Sequence, residues 1–230
     1  MAEIIESAAE IGDRKMGGRK IATLDIGGTL VDSGEKISSH AKINKALGMA
    51  PEEEKRIYEQ YEGKNGDIQN HRHHAYDRTQ ALEGREEANI ENYAKIVQEI
   101  LDGREVIEGA PEFIETLQDQ NYTTIALSSR PPAATRPQAE ELGIDYIYKW
   151  KDFEFYEDGG FARIYVSPEG ENGKQDVIKA FQQQGAEVIH FGNGANDLEA
   201  INQADAGFRQ FWTGNPENAY EWARKEAAKL

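Results

Sequence analysis

The sequence predicts an α/β fold: three layers, with a Rossmann-like parallel sheet covered by helices on both faces and a helical cap inserted after the first core strand. Two observations predict the sheet. Three short apolar runs, at 21–24, 124–127 and 188–191, have the continuity of strands buried on both faces. Each stops at small or polar residues: Asp25-Ile26-Gly27-Gly28-Thr29, Ser128-Ser129 and Gly192-Asn193-Gly194. A third observation predicts the cap. Residues 36–105 hold few β-branched runs and carry helical periodicity, clearest in Ile90, Tyr93, Ala94, Val97, Ile100 and Leu101.

Taken in order, residues 1–18 read as a dispensable N-terminal extension, with a short helix over about 4–11 and a joint at Met16-Gly17-Gly18. This start is acidic and lacks the apolar stretch of a signal peptide. Residues 19–35 and 106–230 read as the core domain and 36–105 as the cap, divided by Pro51 and the glycines at 63–66. Pro111 opens a helix with Phe113, Ile114 and Leu117 on one face; Pro137 opens another that stops at Gly143. Tyr146, Tyr148 and Trp150 alternate as one face of a strand. Phe153-Glu154-Phe155 and 161–166 flank Asp158-Gly159-Gly160 as a hairpin. Val177, Ile178 and Phe181 mark a third helix, ended near Gly185, and Leu198 and Ile201 a fourth. Phe208, Phe211 and Trp212 read as closing the core edge, and Asn215-Pro216 as the start of a last helix through Ala228.

Composition narrows the function classes. The 230 residues hold 42 acids and 26 bases, a net charge of −16. That balance argues against nucleic acid and against a basic membrane-surface module. No apolar run reaches the roughly 18 residues of a membrane span. Cysteine is absent, which excludes disulfides, thiolate chemistry and cysteine-ligated zinc, and suits a cytoplasmic location.

Four features carry chemistry. Asp25 ends the first strand on a glycine-rich turn, Ser128 ends the second, Lys174 starts a helix in Gly173-Lys174-Gln175-Asp176, and Gly192-Asn193-Gly194-Ala195-Asn196-Asp197 follows the third strand. Ligands of such sheets bind beyond the carboxyl ends of the strands, so these features gather at one edge. Singly each is weak; their order and spacing are specific.

In that order and spacing the chain resembles the haloacid-dehalogenase-like superfamily, within it the phosphoserine-phosphatase-like branch, from about residue 20 to 220. The resemblance implies that Asp25 attacks a small phosphomonoester and forms an aspartyl-phosphate. Ser128 and Lys174 would hold the phosphate, with Gly27, Gly28, Thr29, Ser129 and Asn196 completing the cradle. It also implies Mg²⁺ on Asp25, the Gly27 carbonyl, Asn193 and Asp197. In the cap it implies an arginine for a substrate carboxylate, matched loosely by Arg72 with Arg56, Arg78 and Arg85 as competitors, and a glutamate for a substrate amine, matched one residue out of register by Glu35.

Two departures touch that chemistry. The family's acid–base aspartate is Gly27 here, and a metal-ligating aspartate is Asn193. General acid–base help is worth about 10²–10⁴ in rate, so hydrolysis should be slow, and restoring Asp at 27 should raise it where nothing else is missing. The same degeneracy leaves open a catalytically impaired protein with a phosphate-binding, regulatory or interaction role, and a metal-free dehalogenase-type hydrolase. Arg130, before Pro131-Pro132, reads as pairing with surface acids, and His71, His73 and His74 as a solvated edge of the cap. Nothing in the sequence fixes the oligomeric state.

Overall fold

The computed structural model describes residues 1–12, 20–32, 38–63 and 68–209. Its central sheet has six parallel strands in the order β1-β6-β5-β2-β9-β10. These are β1 (Glu3–Ile5), β2 (Lys20–Leu24), β5 (Tyr122–Ala126), β6 (Tyr146–Tyr148), β9 (Glu187–Gly192) and β10 (Ala206–Arg209). The three apolar runs of the sequence are β2, β5 and β9, side by side. β2 is buried over Ile21, Ala22, Thr23 and Leu24, so successive side chains face opposite layers and each needs a cover.

Two core clusters provide that cover. On one face Ala22, Leu24 and Phe191 pack with Phe113, Ile114 and Leu117 of α6 (Ala110–Asp119). On the other, Ile21, Ile125 and Trp150 pack with Val177, Ile178 and Phe181 of α8 (Lys174–Gln183). Fully burying each such side chain contributes about 1.5–3 kcal/mol. Phe113 meets Phe191 edge to face at 5.0 Å, and Phe208 stacks on Phe191 at 4.6 Å, closing that edge of the core. α7 (Arg136–Glu141) and α9 (Leu198–Gln203) fall where the sequence puts helices. Phe211, Trp212 and the helix expected through Ala228 lie outside the described residues.

The helical insert leaves and re-enters through a two-stranded neck. β3 (Val31–Asp32) pairs antiparallel with β4 (Glu105–Val106). Between them run α2 (Ser39–Ala46), α3 (Pro51–Tyr61), α4 (His71–Leu82) and α5 (Ile90–Asp102). Ile43, Ile57, Val97 and Ile100 form their shared core. The expected hairpin is present as β7 (Lys151–Phe155) and β8 (Phe161–Val166), and its Phe153 and Ile164 join the same cluster. The Ile164 amide donates to Thr79 Oγ1 at 3.0 Å, fixing the hairpin against α4.

Two readings need correction. The N-terminal residues are not a dispensable extension: β1 is the sheet's edge strand, with Glu3 opposite Tyr146 and Ile5 opposite Tyr148. Ile5, together with Ala8 and Ile11 on α1 (Ala8–Gly12), is buried in the core. The helix expected over 4–11 is therefore half strand. In α5 the buried stripe is Tyr93, Val97 and Ile100, while Ile90 at the helix start is 48% exposed. No helix among the described residues is long and apolar enough to cross a membrane.

Candidate active site

β2 lies between β5 and β9, so the carboxyl ends of all three strands open on one crevice. Asp25 follows β2 and is nearly buried. Lys174, the first residue of α8, is fully buried and donates from Nζ to Asp25 Oδ1 and to Asp197 Oδ1, each at 2.6 Å. Burial opposes the ammonium charge, but Asp197 and Asp25 outweigh it and raise the lysine's pKa above its ordinary value. Burial likewise disfavours ionised Asp197, yet Lys174 and His190 hold its carboxyl well below the usual range. Thr29 Oγ1 donates to Asp25 Oδ2 at 3.1 Å, so Thr29 orients the Asp25 carboxylate. The Asn193 and Gly194 amides donate to Asp197 Oδ2 at 3.1 and 2.9 Å.

His190 is a partner that the sequence reading missed. It is fully buried on β9, with Nε2 3.3 Å from Asp197 Oδ1 and Nδ1 3.0 Å from Thr23 Oγ1. One polar residue inside the otherwise apolar run Val188-Ile189-His190-Phe191 was the signal for it.

Arg130 is not a surface residue. It is 6% exposed and lines a pocket of about 400 Å³ with Asp25, Gly27, Ser128, Asn193 and Arg104. Its Nη1 donates to Gln138 Oε1 at 3.0 Å, whereas its buried Nη2 has no partner among the described residues. A Cβ placed on Gly27 would lie 2.6 Å from that Nη2. The glycine thus leaves the space that the guanidinium fills. Burial and then Arg104 draw the arginine's pKa down from its ordinary value to about 9, against the opposing pull of Asp25, so it stays cationic at neutral pH. Gly28 takes φ +77°, and a Cβ there would meet Asn193 Nδ2 at 2.4 Å. That amide nitrogen donates to the Gly28 carbonyl at 2.6 Å.

The family model of haloacid dehalogenase-like hydrolases matches residues 20–205, which contain every one of these groups. The chain belongs to this family of hydrolases. The fold of this haloacid dehalogenase-like chain is similar to that of phosphoserine phosphatases. A phospho-aspartyl intermediate analogue of phosphoserine phosphatase superposes with TM-score 0.58 at 21% identity, over 84% of this chain and 87% of the other. The phosphoserine phosphatase from T. onnurineus superposes with TM-score 0.62 at 18% identity, over 90% and 94%. The Copper-exporting P-type ATPase B of Enterococcus hirae is 28% identical over 113 residues, 49% of this chain but only 13% of that protein's length.

The donors at this family site do not fit the magnesium centre that the resemblance implies. Among the described residues Asp25 is the sole carboxylate lining the pocket. Asp197 spends one oxygen on Lys174 and the other on two backbone amides, and Asn193 turns its amide nitrogen toward Gly28. Two fixed cations, Lys174 and Arg130, already act on Asp25. Among the described residues no three His, Asp or Glu side chains are placed to hold a metal. Mg²⁺ demands near-ideal octahedral oxygen coordination and dehydrates reluctantly, so this set suits it poorly.

The remaining sequence candidates divide. Ser128, Ser129, Gly27, Gly28 and Asn196 line the Asp25 pocket with Asn193. Ser128 Oγ accepts from the Arg130 amide at 3.2 Å and keeps its own proton available to a ligand. Arg72 is not at the site: it is exposed and lies 3.5 Å from Glu171. Of its competitors, Arg78 is buried and faces a cavity against the insert, while Arg85 is tied to Glu53 at 2.6 Å. Glu35 lies outside the described residues. His71 and His74 are not a solvated edge; they are 3% and 4% exposed. His73 is on the outer side of α4, 2.8 Å from Asn70 Nδ2.

Proposed function

We propose that this chain is a slow, phosphatase-like hydrolase of a small phosphomonoester, with Asp25 as nucleophile and the helical insert as a cap over the site. The observation that carries the reading is Lys174 Nζ at 2.6 Å from both Asp25 and Asp197, buried at the strand ends where Ser128 opens into the same pocket. Lys174 and Arg130 offset the negative charge of an entering phosphate dianion. The Ser128 hydroxyl and the unpaired Arg130 Nη2 donate to its oxygens. Asp25 Oδ attacks phosphorus, the ester P–O bond breaks, and the leaving oxygen takes a proton from water. Water then cleaves the aspartyl-phosphate, releasing inorganic phosphate and restoring Asp25. Gly27 gives neither proton transfer any help, which is the physical reason for slow turnover.

The test is hydrolysis of an activated aryl phosphate by the full chain. Activity that disappears in Asp25→Asn supports the reading; activity that persists in that variant, or is absent with several phosphomonoesters, sinks it. A second reading rests on the same Gly27–Arg130 pair: the cradle retains a phosphorylated ligand without turning it over. Tight binding of inorganic phosphate, with no phosphate transfer to Asp25, would select that reading.

A further inference from the structure

A cavity of about 670 Å³ separates the helical insert from the core. Small-molecule sites run from roughly 300 to 1,000 Å³, so it is large enough for a ligand group of its own. Ser38, His40, Ser129 and Asn196 line both this cavity and the Asp25 pocket, so the two spaces are continuous. A group esterified to a phosphate at Asp25 therefore extends beneath the insert.

The wall of the cavity is largely carbon. Met49 between α2 and α3, Pro51 and Tyr58 of α3, Ile68 ahead of α4 and Trp150 ahead of β7 supply it. Trp150 spends its one donor on the Gly170 carbonyl at 2.9 Å, so its indole offers a ligand only apolar surface.

The buried charges of the lining are already engaged. Arg78 pairs with Glu54, which also accepts from Asn44 Nδ2 at 2.8 Å. Lys151 Nζ lies 2.7 Å from His71 Nδ1 and 4.4 Å from the centre of the Trp150 ring. Lys45 and Lys55 are exposed. Burial pulls the imidazoles of His40, His71 and His74 well below their ordinary pKa, so they are neutral, and their Nε2 atoms have no surface open to a ligand. Glu54 is the one carboxylate of the lining among the described residues, so a substrate ammonium finds no open acceptor there. A charge brought into such a space without a partner is strongly unfavourable.

We infer that this cavity receives the leaving group of the phosphomonoester, and that the group is an uncharged, largely apolar alcohol or phenol. The inference rests on the Asp25 reading for the phosphate end and on the insert cavity for the other end. A zwitterionic amino-acid ester would instead carry two charges into the cavity, with the buried arginine and carboxylate there already bound to each other.

The experiment is calorimetric titration of the full chain with non-hydrolysable methyl-, butyl-, benzyl- and naphthylmethylphosphonate. The phosphonate analogue of phosphoserine and free naphthylmethanol are titrated alongside. Each methylene that enters the cavity should tighten binding about fourfold. Naphthylmethylphosphonate should then bind on the order of tenfold or more tighter than methylphosphonate, while the phosphoserine analogue gains nothing over methylphosphonate. Tyr58→Ala and Met49→Ala remove parts of the wall, and each should narrow the naphthylmethyl-to-methyl ratio. Equal affinities along the series, a ratio unchanged in both variants, or a phosphoserine analogue as tight as the benzyl compound overturn the inference. Two outcomes separate it from the reading beneath it. Methylphosphonate that binds with no gain from a larger apolar group keeps the phosphate site at Asp25 and sinks the inference. Naphthylmethanol that binds as tightly as its phosphonate keeps the apolar subsite and sinks the phosphate site.

Discussion

Two neighbouring cavities share a wall and are built on opposite principles. Around Asp25 the buried charges satisfy each other: Lys174 serves two carboxylates, Thr29 serves Asp25, and backbone amides serve Asp197. Beneath the insert, three imidazoles stand with Nε2 unpaired. The first pocket is complete before a ligand arrives, so its residues bear on the fold as well as on chemistry. The second leaves its imidazole Nε2 atoms unpaired, so replacing those rings by apolar ones of like size should leave the fold intact. Arg130 belongs to both kinds, with one nitrogen on Gln138 and one without a hydrogen-bond partner among the described residues.

Substitutions can break this contrast in order of size. Asp25→Asn should lower aryl phosphate hydrolysis by more than roughly 10³-fold, read as initial rates, and should also lower the urea midpoint, because buried Lys174 loses one of its two carboxylates. Lys174→Met should lose activity and also destabilise the chain by about 3–5 kcal/mol in a urea titration, because two buried carboxylates lose their shared cation. Loss of activity without loss of stability would deny the interlocked character of the first pocket. Gly27→Asp should fail to raise the rate. The new side chain would occupy the place of Arg130 Nη2, and inorganic phosphate should bind about tenfold or more weakly by calorimetry. A rate increase would show that the guanidinium yields readily.

A smaller effect belongs to the second cavity. Burial first, then Lys151 and Arg78, depress the His71 and His74 pKa values below 6.5 in the folded chain. The unfolded chain then binds more protons at acid pH, so stability is full above about pH 6.5 and falls as pH drops. Each buried imidazole contributes up to about 1.4 kcal/mol per pH unit to that slope. His74→Phe should flatten the urea-midpoint profile between pH 7 and 5; an unchanged slope would mean that His74 is solvated. The smallest expected effect is that of a metal chelator, which should change aryl phosphate hydrolysis less than about twofold if Lys174 and Arg130 supply the charge.

The sequence made the sheet and the first pocket legible because both rest on short-range signals. An apolar run closed by Asp25, Ser128 or Asn193 names a strand and its exposed end at once. Lys174 was legible as the first residue of a helix. The neighbours that complete the pocket come from side-chain reach. Arg130 turns inward because Gly27, more than a hundred positions earlier, leaves room for Nη2. His71 and His74 lie on a helix of weak amphipathic pattern, so nothing local marked their face as buried. The hairpin supplies Lys151 to His71, a pairing between residues 80 positions apart. β1 was missed because three residues carry too little periodicity to set a strand apart from a helix turn.

That edge strand has a consequence for how the chain assembles. Glu3 finds Tyr146 and Ile5 finds Tyr148, so β1 cannot pair until β6 has left the ribosome. Closing so long a loop is entropically costly and slows folding. Until then Ile5, Ala8 and Ile11 have no core to enter, and the nascent chain exposes a short apolar segment. The ladder between β1 and β6 therefore joins two segments that emerge at widely separated times during synthesis.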